Sequence, residues 1–337
     1  MRPSQVSPQE ILQLLTYRRQ DFDSKVLSVS TNRVHFNESP AISTLGDLDK
    51  LSIELLYMIL HYSDLCTASA FCLLNRQARM VVHASLPYKN LVRHAPHAIA
   101  ALIRTRVGSH FTVDEVFHTF CTPSCYVCGR FGAFLWIPEC IRCCFPCLRA
   151  APELMPMGEN HAKAVFGLTK KTLAKVPIMV TLPGTYGFPS KPYIRQRHLL
   201  SRNRARQVAI MTHGGEEELA QYMESRISQS KLASNQLEAT QKTTRDDVTR
   251  FMATISFPYF DPASRTVDVG LACQGCKSPR AISSRKWLSS KQKHTLVDIR
   301  DRTYCEKGFF EHLKRCLDAQ RLWDTHRLSD LSKSPGS

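Results

Sequence analysis

Seven of the chain's thirteen cysteines fall between Cys121 and Cys147, in CTPSCYVCGRFGAFLWIPECIRCCFPC. Cys125 and Cys128 form a C-x-x-C knuckle followed directly by Gly129, which suits a backbone that must turn through positive φ. Cys140, Cys143, Cys144 and Cys147 form a second group. The apolar stretch Phe131–Ile137 between them reads as a strand that turns back. Two C-x-x-C pairs joined by a hairpin place four thiolates around one tetrahedral zinc. Spacing alone leaves three pairings open for the second half: Cys140 with Cys143, Cys143 with Cys147, or Cys144 with Cys147.

A second candidate lies near the other end. Cys273 and Cys276 are a further C-x-x-C, and His312 and Cys316 stand four apart in Gly308–Trp323, a stretch of helical texture. That spacing puts both on one helix face, and Cys₃His is an accepted zinc set. The interval between the two pairs is much longer than the roughly 12 residues of a DNA-reading finger, so groove recognition is not implied. Cys66, Cys72, Cys121 and Cys305 are expected to be plain thiols.

The rest of the chain is helical in pattern. Residues 1–44 read as a short helix and a polar lead-in: Ser7, Pro8 and Glu10 open the helix with a capping box, and Ile11, Leu14 and Leu15 give it one apolar stripe. From Leu45 the texture changes: Leu48, Leu51, Ile53, Leu55, Leu56, Met58, Ile59 and Leu60 make a helix that is apolar almost all round. Such a helix must be covered on more than one face. Asp64 and Asn75 are placed to cap two further helices. Residues 98–106 and the stretch after the Thr112/Glu115 capping box read as helices. Residues 189–247 read as a basic linker or insertion carrying one helix at Glu216–Ser228, and Val267–Leu271 as a short pair of strands. Residues 329–337 are expected to be a disordered tail.

The segment LSIELL, then Ile59-Leu60, Asp64-Leu65 and Asn75-Arg76, resembles an F-box, and CLLNRQAR extends the likeness. Residues 45–187 together resemble the F-box proteins of filamentous fungi, through RHAPHAIAALIRT, CYVCGRFGAFL, CIRCCFPCL, FGLTKK and LPGTYG. GFFEHLKRCLDAQRLW continues the resemblance near the C-terminus. It departs at Ser52, where proline is usual, at Leu74, where valine is commoner, and at Arg79, where a bulky residue is frequent. The resemblance implies docking on the Skp adaptor of a cullin ubiquitin ligase through Leu51, Ile53, Leu55, Leu56, Ile59 and Leu60. It also implies Cys144 and Cys147 as the second zinc pair, with Cys140 and Cys143 as rivals.

The fold expected is therefore mainly α: a three-helix F-box at residues 45–86 on a helical body, a zinc-stapled β-hairpin within residues 87–188, and a Cys/His zinc segment at residues 248–328. A content of 43% hydrophobic and 22% charged residues is that of a globular chain. The lack of a secretory-type or membrane-spanning apolar run points to the cytoplasm or nucleus, where clustered thiols favour metal over disulfides. No nucleophile elbow, P-loop or H-E-x-x-H motif is present, so the chain is not expected to be an enzyme. The net charge of +16 includes an acid-free basic span within residues 160–215. That span makes nucleic acid the alternative partner.

Overall fold

The caps read from the sequence are in place in a computed structural model of the chain, which describes residues 7–31, 44–229, 247–277 and 289–333. Ser7 and Glu10 close a capping box on α1 (Pro8–Leu15), which leads into β1 (Thr16–Tyr17) and α2 (Gln20–Asp23). Ser52, Asp64 and Asn75 cap α3 (Ile53–Tyr62), α4 (Leu65–Leu74) and α5 (Arg76–Ala84) through the backbone N–H groups of Leu55, Thr67 and Ala78. Two helices that open with proline follow, α6 (Leu86–His94) and α7 (Pro96–Arg104). The Thr112/Glu115 capping box then starts α8 (Val113–Phe120).

The cysteine block forms the expected hairpin, β2 (Phe134–Trp136) and β3 (Ile141–Cys143), and runs straight into α9 (Phe145–Ala150). A third strand joins it. After α14 (Val248–Met252), β9 (Thr254–Ser256) pairs antiparallel with β2 in the register Leu135↔Ile255. This partner arrives from far along the chain, so no local pattern announces it.

Several expectations are corrected. The stretch expected as a polar lead-in is partly core: Phe22, Val26, Leu27 and Val29 are buried, and Phe22 stacks on Phe145 with ring centroids 3.4 Å apart. Each such side chain contributes roughly 1.5–3 kcal/mol by leaving water, enough to hold a short segment that has little helix of its own.

The basic linker is folded over much of its length. β8 (His198–Ser201) is the central strand of a sheet with β4 (Pro156–Gly158) and β5 (Met179–Val180), and β6 (Gly184–Tyr186) pairs with β7 (Lys191–Tyr193). α10 (Glu159–Phe166), α11 (Lys170–Leu173), α12 (Arg202–His213) and α13 (Glu216–Gln229) pack on the first of these sheets around Phe166, Leu173, Leu200 and Leu219. Its charged residues project from short apolar elements whose alternation is too brief to read as strands. The remainder of that linker, residues 230–246, lies outside the described residues.

Two short strands, β10 (Tyr259–Asp261) and β11 (Thr266–Asp268), form a hairpin, and β12 (Ala272–Cys273) pairs with β1. α15 (Gln274–Lys277), α16 (Ser290–Arg300), α17 (Glu306–Leu313) and α18 (Leu317–Lys333) complete the described chain. The tail expected from residue 329 is helical as far as Lys333, because α18 continues through it. Among the described residues no helix is long and apolar enough to cross a membrane.

A buried arginine ties the hairpin to its surroundings. Arg142, on β3, donates to the carbonyls of Gly132 at 2.7 Å, Phe257 and Pro258 at 2.8 Å, Thr119 at 3.1 Å and Phe120 at 3.3 Å. Two of these carbonyls end α8 and two follow β9. Burial lowers its pKa to about 10, and the Phe257 ring lies 4.8 Å from the guanidinium.

Candidate metal centres

Cys125 and Cys128 sit on a tight turn after α8, where the Gly129 N–H donates to the Cys125 carbonyl at 2.9 Å and Gly129 has φ +71°. The glycine therefore adopts the left-handed backbone its place in the knuckle requires. Cys144 precedes α9 and Cys147 lies in its first turn. The four sulfur atoms lie within 4.8 Å of one another, and Cys128 and Cys144 are 3.6 Å apart. Four thiolates around zinc at about 2.3 Å stand roughly 3.8 Å from each other, so the set fits that ion.

This choice settles the rivals. Cys143 and Cys144 are successive residues at the end of β3, where neighbours point to opposite faces. Cys144 joins the cluster, whereas Cys143 is fully buried in the core. Cys140 takes a left-handed backbone at φ +50° in the hairpin turn, and burial pushes its thiol up to about 12. Burial likewise raises Cys143 well above the ordinary thiol range. Neither sulfur belongs to the four-sulfur cluster.

The clustered sulfurs share hydrogen bonds. Hydrogen bonds from the Cys144 and Cys147 thiols, aided by the backbone N–H groups of Cys128 and Cys144, hold Cys125 far below its usual range. The same sharing pushes Cys144 up. Thiols this close together compete for their protons, and a divalent cation at the centre would let all four ionise. Arg130 Nε lies 3.3 Å from Cys128 Sγ and offsets part of the resulting negative charge.

The second group also assembles. Cys273 ends β12, Cys276 lies in α15, His312 is in the last turn of α17, and Cys316 precedes α18. Cys273 and Cys276 each lie 3.8 Å from Cys316, and Cys276 Sγ lies 3.3 Å from His312 Nε2. The expectation that His312 and Cys316 share one helix face is corrected. The helix breaks at Lys314, and Cys316 accepts the Gln320 N–H through its carbonyl as the cap of the next helix. The turn, not helical spacing, brings the two ligands together.

Tyr304 fixes the histidine. Its hydroxyl lies 3.2 Å from Nδ1, and its ring stacks on the imidazole with centroids 4.5 Å apart. This leaves Nε2 to face the sulfurs, the arrangement outer partners commonly give a metal-binding imidazole. Burial works to lower the His312 pKa, but Cys273 and Cys316 outweigh it and raise it to about 9. The site is built under α1: Leu15, Cys273, Phe309 and Ala319 form one buried cluster. Both groups are candidate metal sites consistent with zinc, and neither has an open ligand position for chemistry if all four side chains bind.

The six residues expected to dock divide by burial. Leu56 and Leu60 are 7% and 6% exposed and belong to the chain's own core, so they are not free for a partner. Leu51 is half-buried against that core. Ile53, Leu55 and Ile59 are 41%, 42% and 50% exposed. Met58 and Tyr62 are also exposed and were not among the expected contacts, although their spacing from Leu55 and Ile59 marks them. No protein-family model, curated protein or solved structure matches the chain.

Proposed function

We propose that the chain is a substrate-recruiting adaptor of an SCF-type ubiquitin ligase, with an F-box at residues 45–86 that docks on a Skp-type adaptor and with zinc in a structural role. One observation carries this reading: α3 has two apolar stripes. Leu56 and Leu60 face inward, while Leu55, Met58, Ile59 and Tyr62 repeat at helical spacing on the exposed side. Leu73, Leu74 and Met80 on α4 and α5 are exposed large apolar side chains as well. A surface of this kind is what a partner protein covers. Docking is then helix packing by Leu and Ile anchors, with charge in a minor role.

The reading predicts co-purification with a Skp-type adaptor, and loss of the complex in the double variant Leu55→Asp/Ile59→Asp. Both positions are exposed, so helix content and zinc content should be unchanged. An undiminished complex would sink the proposal. Nothing in the closed ligand sets calls for catalysis, and we read the chain as a binding protein.

Nucleic-acid binding through residues 160–215 is the second reading, and exposed Lys170, Lys171, Lys175 and Lys191 are its support. It is the weaker one, because carboxylates from outside the span reach into it. Lys163 pairs with Glu159 at 2.6 Å, Arg206 pairs with Glu216, and Arg204 stands 3.9 Å from Glu139. Steeply salt-dependent binding that disappears on neutralising Arg202, Arg204 and Arg206 would favour it instead.

A further inference from the structure

Between the segment Tyr17–Phe22 and the end of α16 lies a cleft of about 690 Å³, within the range of small-ligand sites. Its walls carry Arg18, Arg19, Arg149, Lys277 and Arg300, together with the rings of Tyr17, Phe22 and Phe188. The carboxylates that face these cations are Asp21 and Asp301, and Asp23 pairs with Arg18 at 3.2 Å. Five cations against these three carboxylates leave the lining with a surplus of positive charge.

The arrangement is preorganised. Asp301 is 1% exposed, and three guanidiniums converge on it: Arg300 at 2.7 Å, Arg149 at 3.0 Å and Arg19 at 3.3 Å. Asp21 also takes Arg19, through two contacts of 2.9 Å, and Asp301 holds the three guanidiniums side by side against their mutual repulsion. Aromatic faces pin the cations further. The Arg19 guanidinium lies 3.6 Å from the Phe22 centroid, Lys277 Nζ 4.7 Å from that of Tyr17, and Arg149 5.4 Å from that of Phe188. Fixed side chains lose little freedom when a ligand arrives, which is what makes such a site bind. The candidate metal centres hold two of the walls, since Arg149 follows Cys147 by two residues and Lys277 follows Cys276 directly.

We infer that this cleft binds a phosphate-class anion. Clustered guanidinium forks match the several oxygens of a phosphate better than the two of a carboxylate. The anion's source is a free phosphate compound or a phosphorylated side chain, and the two are separable by experiment. Calorimetry on the zinc-loaded full chain at physiological salt would use inorganic phosphate, a phosphoserine peptide and its unmodified twin. Saturable binding of inorganic phosphate assigns the site to free phosphates, and binding of the phosphopeptide alone assigns it to modified chains. In either case the rim variant Lys277→Gln/Arg300→Gln should weaken binding at least tenfold with zinc content and circular dichroism unchanged. The inference fails if neither phosphate probe saturates, if the double variant binds as the parent does, or if the unmodified peptide binds as tightly as its phosphorylated form.

Discussion

Gly275 packs directly against the backbone of Ala319: a Cβ built on the glycine would lie 2.8 Å from the Ala319 Cα. The obstacle is main chain, which cannot rotate away as a side-chain tip would. Gly275→Ala should therefore push α18 off α15 and separate Cys316 from Cys273 and Cys276. Bound zinc should fall from near two per chain to near one, measured by elemental mass spectrometry on protein purified without chelator. Retention of two would show that the helices adjust.

The ligand assignment at the first centre is tested by contrasting neighbours. Cys144→Ser should abolish one zinc and lower thermal stability sharply, because structural zinc contributes on the order of 10 kcal/mol to small metal-bound folds. Cys140→Ser should keep both ions. The mirror-image result, with zinc lost at Cys140 and kept at Cys144, would overturn the assignment.

Arg142→Met should destabilise the chain by about 3–5 kcal/mol, read from urea unfolding, because five carbonyls, three of them in buried contacts, lose a charged donor. Arg142→Lys should recover little of this, since one ammonium cannot reach acceptors on so many sides. A loss below about 1 kcal/mol would mean that water or a shifted side chain fills the role.

Leu60 and Ile59 are adjacent in sequence and opposite in fate. Leu60→Ala should cost about 2–5 kcal/mol of folding stability as a core truncation. Ile59→Ala should change stability by less than about 1 kcal/mol, with its main effect on partner capture. Equal costs from thermal melts would contradict the division of α3 into a buried and an exposed stripe.

Features set by neighbours in sequence were legible. Ser7, Asp64, Asn75 and Thr112 cap where side-chain chemistry places them, and Cys125, Cys128, Cys273 and Cys276 announce themselves by spacing. What depends on distant chain was not. Cys140, Cys143 and Cys144 are equally plausible ligands by count, and only the pleat of β3 with the start of α9 separates them. His312 and Cys316 belong to the predicted set, yet a turn sits where helical spacing was expected. Nothing in the sequence marks Arg142, which only the fold surrounds with five carbonyls. Phe22 and Ile255 lie in segments too short for any periodicity, and tertiary pairing alone defines their role.

The strand β9 has a consequence for how the chain is made. Arg142 and its acceptor Phe257 are 115 residues apart. Synthesis runs from the N-terminus, so the four sulfurs of the first centre leave the ribosome well before Thr254 does. During that interval β2 presents an unpaired apolar edge, the kind of template on which nascent chains misassociate. Metal can close the early knot, but the sheet waits for sequence not yet translated. A fragment ending before residue 254 would therefore hold the ligands of the first centre and still misrepresent the protein, with β2 bare along the edge that β9 covers.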